Sequence, residues 1–384
     1  MRICRIALSY PTKRSPGAGL VAYYLCKYIK VPSLYLTIYR DREEFIPNSA
    51  NFDLEAIKVP IEMSSNSLNQ SIHKEDQNIF QRLEVYVKII ISGRSIKFLL
   101  NSIQKTIAFK PDLICCHSNL TLYNGLFFNL FFQKKFVLHI HAMSDAIAIC
   151  NLPILRLIAS RASRVYCVSG QVFGRLKKSI SPLKLRLTST GVDPKIFYNM
   201  NIKRKKQIIQ VGQLMWYKGH KYLINAMPKI LKIFPDYKLI IVGNGKLKEE
   251  ITHLINNNNL QDSIEMLSNL SHQELRKLYS ESSLMIMPSL FEGLPKVLLE
   301  AFACGLPAVI TDACNAENIS VDRAVIVKKK SSKALSKAIV KILSDKLMWE
   351  KYSKNCLDII ETHNWEKISK EIYEDYKLLL NHKT

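Results

Sequence analysis

The chain has 384 residues, 48% hydrophobic and 23% charged, a composition typical of a globular protein and not of a disordered one. Its formal net charge of +23 indicates an anionic partner or surface, and a generally lysine-rich composition is the alternative. It contains no run of eighteen apolar residues and no signal-peptide pattern, so we expect a cytoplasmic protein. The nine cysteines show neither a metal-ligand spacing nor a disulfide framework, and we expect no metal site.

Apolar segments of strand and helix length alternate along the chain. Expected strands in the first half are 3–8, 34–38, 113–116, 136–140, 165–168 and 185–188, with helices such as 18–29 and 154–162 between them. A basic stretch at 201–206 is typical of a linker, and further strands are expected at 207–211, 238–242, 263–267, 284–287 and 308–311. The pattern predicts an α/β protein with two doubly wound domains, 1–200 and 201–363, and a terminal amphipathic helix at 364–384.

Two glutamates lie in the segment PSLFEGLPKVLLEAFACGLPAVITD, one in a predicted loop and one on the helix that follows. Pro295 suits the first turn of this helix, and Gly305 with Pro307 ends it. If the loop continues the helical path, Glu292 and Glu300 project about 80° apart and reach one ligand. The helix N-terminus offers N–H groups and a partial positive charge that suit a phosphate. The alternative is two glutamates without a ligand.

Other residues at predicted strand ends are candidates for ligand contact. Gly17 and Gly19 follow the first strand and let the backbone approach a ligand closely, although a turn without a ligand has the same composition. His141 ends its strand at the rim where chemistry occurs in such sheets, or it is a structural histidine. Lys218 precedes a predicted helix and can meet a phosphate there, unless it is only a solvated lysine.

The order and spacing of several short motifs resemble glycosyltransferase family 4, whose members are retaining nucleotide-sugar transferases with the GT-B fold. The motifs are SPGAG near the start, His141, VSG at 168–170, STGVDPKIF at 189–197, VGQLMWYKG at 211–219, VGNG at 242–245, the glutamate segment at 288–312, and Trp365. The resemblance implies two Rossmann-like domains facing across a cleft, the first binding the acceptor and the second the donor. It also implies a terminal helix that crosses back to the first domain.

The resemblance assigns roles to individual residues. Glu292 and His141 would be catalytic residues beside the transferring sugar, and Glu300 would accept hydrogen bonds from the ribose hydroxyls. Lys218 would bind the diphosphate. The other donor-binding positions would be Gly17 and Gly19 of the first domain and Gln213, Gly293, Leu294 and Lys296 of the second.

The resemblance further implies transfer without a metal or cofactor, with the nucleotide sugar as substrate and the leaving diphosphate taking the acceptor proton. Two departures stand out. Gln213 occupies the place of an arginine that usually shares the diphosphate with the lysine, a loss of roughly 1.5–3 kcal/mol. The sequence DACNAENI replaces a glycine pair after the strand at 308–311. A catalytically weak or inactive GT-B scaffold is therefore an alternative, and a nucleotide-sugar epimerase is a more distant one.

The positive charge is concentrated in the expected acceptor domain. Residues 86–191 contain 15 basic and two acidic side chains. Each basic residue near an anionic bilayer contributes about 1 kcal/mol. We therefore expect an enzyme peripheral on the cytoplasmic face of the inner membrane, extending a lipid-linked glycan for cell-surface polysaccharide, capsule or lipopolysaccharide. A basic nucleic-acid-binding protein is the alternative from another class, but no zinc spacing or aromatic-basic RNA motif supports a nucleic-acid partner.

Overall fold

The computed structural model of the protein describes residues 1–7, 18–39, 53–58, 93–141, 143–268, 270–292 and 294–381. The chain divides into two compact units: Met1–Ser189 with Trp365–Thr384, and Thr190–Asn364. Each unit contains one parallel sheet. The predicted linker at 201–206 lies inside the second unit, because Val192 and Phe197 before it are already buried in that unit's core.

The first unit is built on a seven-stranded sheet within the described residues. Its strands are β1 (Ile3–Ala7), β2 (Ser33–Tyr39), β3 (Asp53–Lys58), β4 (Leu113–Cys116), β5 (Lys135–Ile140), β6 (Arg164–Cys167) and β7 (Leu185–Leu187). Its helices before Thr190 are α1 (Ala18–Tyr28), α2 (Gly93–Phe109), α3 (Leu122–Phe132), α4 (Met143–Asn151), α5 (Pro153–Arg161) and α6 (Gly170–Leu176). The order β3-β2-β1-β4-β5-β6-β7 reverses between β1 and β4, which opens a crevice at the carboxyl ends of these strands.

The second unit repeats this architecture with a six-stranded sheet in the order β10-β9-β8-β11-β12-β13. Its strands are β8 (Gln207–Val211), β9 (Lys238–Val242), β10 (Ile264–Leu267), β11 (Leu284–Met287), β12 (Ala308–Thr311) and β13 (Ala324–Val327). Its helices are α7 (His220–Ile224), α8 (Met227–Leu231), α9 (Lys248–Asn257), α10 (His272–Glu281), α11 (Lys296–Ala303), α12 (Glu317–Ser320), α13 (Ser332–Ser344), α14 (Lys346–Leu357) and α15 (Ile359–Thr362). Helices cover both faces, so central strands such as β11 are buried throughout.

Arg204, in the predicted linker, joins two helices of the second unit by hydrogen bonds. Its guanidinium donates to the carbonyls of Tyr279 and Ser282 at the end of α10, both at 2.8 Å. It also donates to Cys304 and Gly305 at the end of α11, at 2.9 and 2.8 Å. The last carbonyls of a helix lack partners within the helix, and a cation there also interacts favourably with the negative end of the helix dipole. One side chain thus fixes the two helices relative to each other.

The terminal helix α16 (Trp365–Asn381) belongs to the first unit. Its buried face contains Trp365, Ile368, Ile372 and Tyr376, as expected of the amphipathic helix predicted at 364–384. Trp365 stacks on Tyr24 of α1 with ring centroids 5.0 Å apart. Among the helices of the described chain, none combines the length and apolar character needed to span a bilayer.

Candidate functional site

The strand order of the second sheet reverses between β8 and β11, and the loops that follow these strands meet there. Leu290 N, after β11, donates to Tyr217 O, after β8, at 2.7 Å. Gly219 has φ +67°, and a Cβ on it would overlap the carbonyl oxygen of Pro288. A glycine is therefore required where the loops touch. This contact places the side chains of both loops at the crevice where doubly wound sheets bind ligands.

Lys218 and Glu292 form an ion pair between these two loops. Lys218 Nζ lies 2.5 Å from Glu292 Oε1, and Ser289 Oγ donates to the same oxygen at 2.9 Å. The lysine stem lies over Gly212, where a Cβ would be 3.3 Å from Lys218 Cδ. Burial opposes the charge on Lys218, but the Glu292 carboxylate outweighs it and raises the lysine pKa. The lysine is therefore a firmly held cation.

The backbone of Glu292 is fixed by the segment that follows β12. Glu292 N donates to Ala313 O at 3.1 Å, and Asn315 Nδ2 donates to Glu292 O at 2.6 Å. Asn315 adopts a left-handed conformation with φ 50°. Asparagine tolerates this region better than most residues, and its amide supplies a contact that glycine lacks. The segment DACNAENI, which replaces the glycine pair, thus contributes through Asn315 a direct contact with Glu292, a candidate catalytic residue.

Gln213 is held from both its side chain and its backbone. Tyr217 Oη donates to Gln213 Oε1 at 2.9 Å. His220 Nε2 lies 3.0 Å from Gln213 O, and since a carbonyl only accepts, this nitrogen carries the proton. Burial lowers the pKa of His220 to about 4, so its ring is neutral near pH 7. These two contacts use the side-chain and backbone carbonyl oxygens of Gln213. Its side-chain amide nitrogen is the group that can donate a hydrogen bond to a ligand.

Helix α11 carries two further predicted residues, Lys296 in its first turn and Glu300 one turn later. Burial raises the pKa of Glu300 to about 7, partly offset by the nearby Lys296 cation. Burial lowers the pKa of Lys296 to about 8, partly offset by Glu300. Tyr279 Oη donates to Glu300 Oε2 at 3.5 Å. The half-buried carboxyl therefore titrates near neutral pH, with a tyrosine donor on one oxygen.

The predicted helical relation between Glu292 and Glu300 is wrong. Pro295, the residue before α11, is extended with φ −77° and ψ 118°, so the loop does not continue the helix. Glu292 is instead placed by its contacts with the loops after β8 and β12. The 80° projection therefore does not apply. Leu294 lies in the loop between Glu292 and α11, while Gly293 is outside the described residues.

In the first unit, three histidines lie at the carboxyl ends of β4 and β5. His117 Nδ1 is 3.1 Å from His141 Nε2, with the rings nearly coplanar at 2°. His117 also stacks on His139 at 4.6 Å. His117 and His139 are buried, and this burial is the main reason why the pKa of each lies well below the usual value. The neighbouring imidazoles and the Arg5 cation lower both pKa values further. A hydrogen bond between His117 and His141 therefore requires one proton between their facing nitrogens.

His117 was not predicted as a site residue. The available signal was that it follows β4 directly, as His141 follows the adjacent β5. Parallel neighbours end at the same edge of the sheet, which brings both histidines together. His139 Nε2 lies 2.7 Å from the hydroxyl of Tyr376 on α16, so the terminal helix also contacts this cluster.

The remaining predicted glycines of the first unit are only partly described. Gly19 lies in the first turn of α1, whereas Gly17 is outside the described residues. Within the described chain, no three His, Cys, Asp or Glu side chains are grouped as a metal site would require. In the second unit the predicted residues form two groups: Lys218 with Glu292, reached from Gln213 through Tyr217, and Lys296 with Glu300 on α11.

Residues 193–357 match the profile of the family described as Glycosyl transferases group 1. An uncharacterized glycosyltransferase of Methanocaldococcus jannaschii is 26% identical over 304 residues, which cover 71% of this chain and 76% of the relative. The gpi3 subunit of phosphatidylinositol N-acetylglucosaminyltransferase from Schizosaccharomyces pombe is 27% identical over 173 residues, which cover 44% of this chain and 38% of the relative.

Solved structures with the same fold match nearly the whole chain at low identity. Sucrose-phosphate synthase from Thermosynechococcus elongatus aligns with a TM-score of 0.82 and 18% identity, covering 100% of both chains. Anabaena HepE in complex with UDP and glucose aligns with a TM-score of 0.74 and 16% identity, covering 98% of this chain and 100% of that one. The chain has the GT-B fold, and residues 193–357 of its second unit match the glycosyl transferases group 1 model.

Proposed function

We propose that the protein transfers a sugar, with retention of configuration, from a nucleoside diphosphate sugar to a glycan acceptor. The observation that carries the proposal is the Lys218–Glu292 pair in the crevice of the second sheet, close in sequence to the helix that bears Glu300. A fixed cation, a fixed carboxylate and a helix start form a donor set suited to a sugar diphosphate.

The donor is bound by residues of distinct chemistry. Lys218 and the first N–H groups of α11 neutralise the diphosphate, and Gln213 offers an uncharged amide in addition. Ionised Glu300 accepts hydrogen bonds from the ribose hydroxyls. Two structures with this fold are complexes of HepE, one with UDP and glucose and one with UDP-glucose. They support a UDP-linked donor as the first candidate, with a GDP-linked donor as the second.

In the proposed reaction the bond between the sugar C1 and the diphosphate oxygen breaks while an acceptor oxygen bonds to C1 on the same face. The acceptor proton passes to the leaving phosphate oxygen, so the reaction requires no metal or other cofactor. Lys218 stabilises the charge that develops on this oxygen. Glu292 orients the transferring sugar, and His141 keeps the catalytic role that the family resemblance implies for it.

The acceptor we propose is a lipid-linked glycan of a cell-surface polysaccharide or lipopolysaccharide, reached by a cytoplasmic protein that associates peripherally with the membrane. The basic surplus of residues 86–191 supports an anionic surface as partner. The Schizosaccharomyces pombe relative is a subunit of phosphatidylinositol N-acetylglucosaminyltransferase, and since phosphatidylinositol is a lipid, this similarity supports a lipid acceptor.

The decisive test is a thermal-shift panel of UDP-, GDP- and ADP-sugars, since a ligand of the folded state raises the midpoint by linkage. Glu300→Ala should abolish the shift by the preferred donor, while Glu265→Ala, on the exposed part of β10, serves as the matched control. NMR of the product then reports its anomeric configuration. If no nucleotide sugar shifts the midpoint or is consumed, the proposal fails.

A catalytically silent scaffold is the second candidate, and the observation that favours it is the Gln213–Tyr217 hydrogen bond in place of a cationic contact. A scaffold binds a nucleotide sugar without consuming it. Turnover of the bound donor in the presence of a lipid extract excludes this candidate.

A further inference from the structure

Large apolar side chains protrude from two neighbouring helices of the first unit, α3 and α5. Phe131 and Leu130, at the end of α3, are 71% and 53% exposed. Ile154 and Leu157, on α5, are 54% and 57% exposed. Single exposed apolar residues are ordinary on protein surfaces, but a group of them on adjacent elements indicates an interaction site.

These side chains are not needed for the core. On α5 the inward face is already formed by Leu155, Ile158 and Ala159, which are buried. Ile154 and Leu157 are three residues apart, so they share a second, exposed face of the helix. An amphipathic surface helix normally has polar residues on this face. Helix α5 is therefore apolar on two sides, and only one is used for folding.

The protruding group continues into the segment that leads to β7. Lys184 Nζ donates to Ser160 O at 2.6 Å, which holds this segment beside the end of α5. Leu183 and Leu187 flank the lysine and are 82% and 58% exposed. We call α3, α5 and residues 182–187 together the apolar-basic face.

The charge around these side chains has one sign. Residues 122–189 contain ten lysines and arginines and a single acidic residue, Asp145. Asp145 is half-buried, and burial raises its pKa to about 7. Arg156 and Arg161 lie on α5 among the apolar side chains and are exposed. Arg164 forms a 3.0 Å ion pair with Asp375 of α16, and Lys135 and Lys184 donate to backbone carbonyls, so these three cations are engaged within the protein.

We propose that the apolar-basic face docks onto an anionic lipid bilayer, with Phe131, Leu157 and Leu183 entering the acyl boundary and Arg156 and Arg161 remaining among the headgroups. Protruding apolar side chains surrounded by cations match the layered structure of such a surface. A nucleic acid has anionic groups but offers no apolar layer for these side chains. The inference rests on the membrane association proposed above and assigns it to particular residues, independently of turnover.

The test is co-sedimentation of the full chain with vesicles of phosphatidylcholine alone or with phosphatidylglycerol. Wild type should bind the mixed vesicles and remain in the supernatant with phosphatidylcholine alone. The pair Phe131→Ser/Leu157→Ser and the pair Arg156→Glu/Arg161→Glu should each lower the partition coefficient at least about tenfold. Leu347→Ser is the matched apolar control, since this side chain is 79% exposed in the second unit.

Other results overturn the proposal. Equal loss in Leu347→Ser and in the face variants would mean that no particular surface binds lipid. If wild type does not bind mixed vesicles but is a dimer that Phe131→Ser/Leu157→Ser converts to a monomer, the face is a protein interface. The midpoint shift produced by the preferred nucleotide sugar is measured on every variant. If a face variant loses vesicle binding but keeps this shift, the docking surface is separate from the donor site and the variant is still folded.

Discussion

Lys218 Nζ and Glu292 Oε1 are 2.5 Å apart, with side chains only 15% and 11% exposed. The two residues are separated by 74 positions in the sequence and are joined only because β8 and β11 are neighbours in the sheet. A pair so far withdrawn from water is stabilising only while both partners are present, since either one alone is a buried, uncompensated charge.

Removing Lys218 alone should therefore destabilise the folded protein. We expect Lys218→Met to lower the free energy of unfolding by about 3–5 kcal/mol, because Glu292 then lacks its cation. In the double variant Lys218→Met/Glu292→Gln, much of this loss should be recovered. Urea unfolding of wild type, both single variants and the double variant measures the coupling. Strictly additive effects would show that the pair contributes nothing as a pair.

Donor affinity should depend on pH through Glu300. Its pKa is raised to about 7 by burial, so below this pH the carboxyl is protonated and loses an acceptor for the ribose hydroxyls. Affinity should fall as pH falls, approaching about tenfold per unit well below the pKa. Calorimetry at pH 6, 7 and 8 measures the slope.

The control for this pH dependence is Glu300→Gln, which is neutral throughout the range. Its affinity should be low and nearly constant between pH 6 and 7. Lys296, with a pKa lowered to about 8, loses charge only at the upper end of the range. If the glutamine variant kept the wild-type slope, another group would have to be responsible.

His117 should act on the reaction by positioning His141, whose imidazole it contacts at 3.1 Å. His117→Ala removes the in-plane partner and should lower kcat about tenfold with little change in the donor KM. His117→Asn places an amide near the former Nδ1 and should restore part of the rate. A purely structural role would instead lower the melting temperature of both variants and leave the kcat of the remaining folded enzyme unchanged.

Arg204 should stabilise the second unit and, through it, the donor site. Four buried or half-buried carbonyls lose their donor in Arg204→Ala, at a cost of about 3–5 kcal/mol in unfolding free energy. Arg204→Lys retains the charge but cannot span both helix ends. Because Tyr279 and Glu300 lie on these two helices, donor affinity should weaken as well. Lys203→Ala, next to it in the sequence, is the matched control for loss of a cation.

Gln213 provides a test by gain of function. Gln213→Arg should tighten donor binding about tenfold, because a charge-assisted contact to phosphate replaces a neutral one. Tyr217→Phe removes the hydroxyl that holds the glutamine and is combined with Gln213→Arg to give the arginine more room. Unchanged affinity in both variants would show that this position does not face the diphosphate.

Most strands were predictable because each is a short segment rich in apolar residues between polar or turn-forming segments. The strands at 113–116, 207–211, 238–242, 284–287 and 308–311 have the predicted bounds. Ser271 and Glu274 form the reciprocal capping box at the start of α10 that their spacing predicts. β3 and β13 were missed. β3 (DLEAIK) contains three charged residues, which break its apolar pattern. β13 (AVIV) is as short and as apolar as the predicted β12 (AVIT), so its sequence contained a strand signal that the prediction did not use.

The site was less predictable, because its contacts join distant segments. The pattern indicated Lys218 and Glu292 separately, but not that they are paired. The glycines of VGNG have a packing explanation: a Cβ on Gly243 would overlap Gly212 O, and one on Gly245 would overlap Leu214 O. In a sequence, a Gly-x-Gly pattern can indicate a nucleotide site. Here both glycines are explained by the close contact of two loops.

The two ends of the second unit lie next to each other. Val192, near its first residue, pairs with Asn364, its last, and Val192 N donates to His363 O at 2.7 Å. An inserted segment whose ends are one hydrogen bond apart can be replaced as a cassette with little change to the flanking chain. If the second unit binds the donor, as we propose, exchanging residues 190–364 with those of a relative should change the preferred nucleotide sugar and leave the first unit intact.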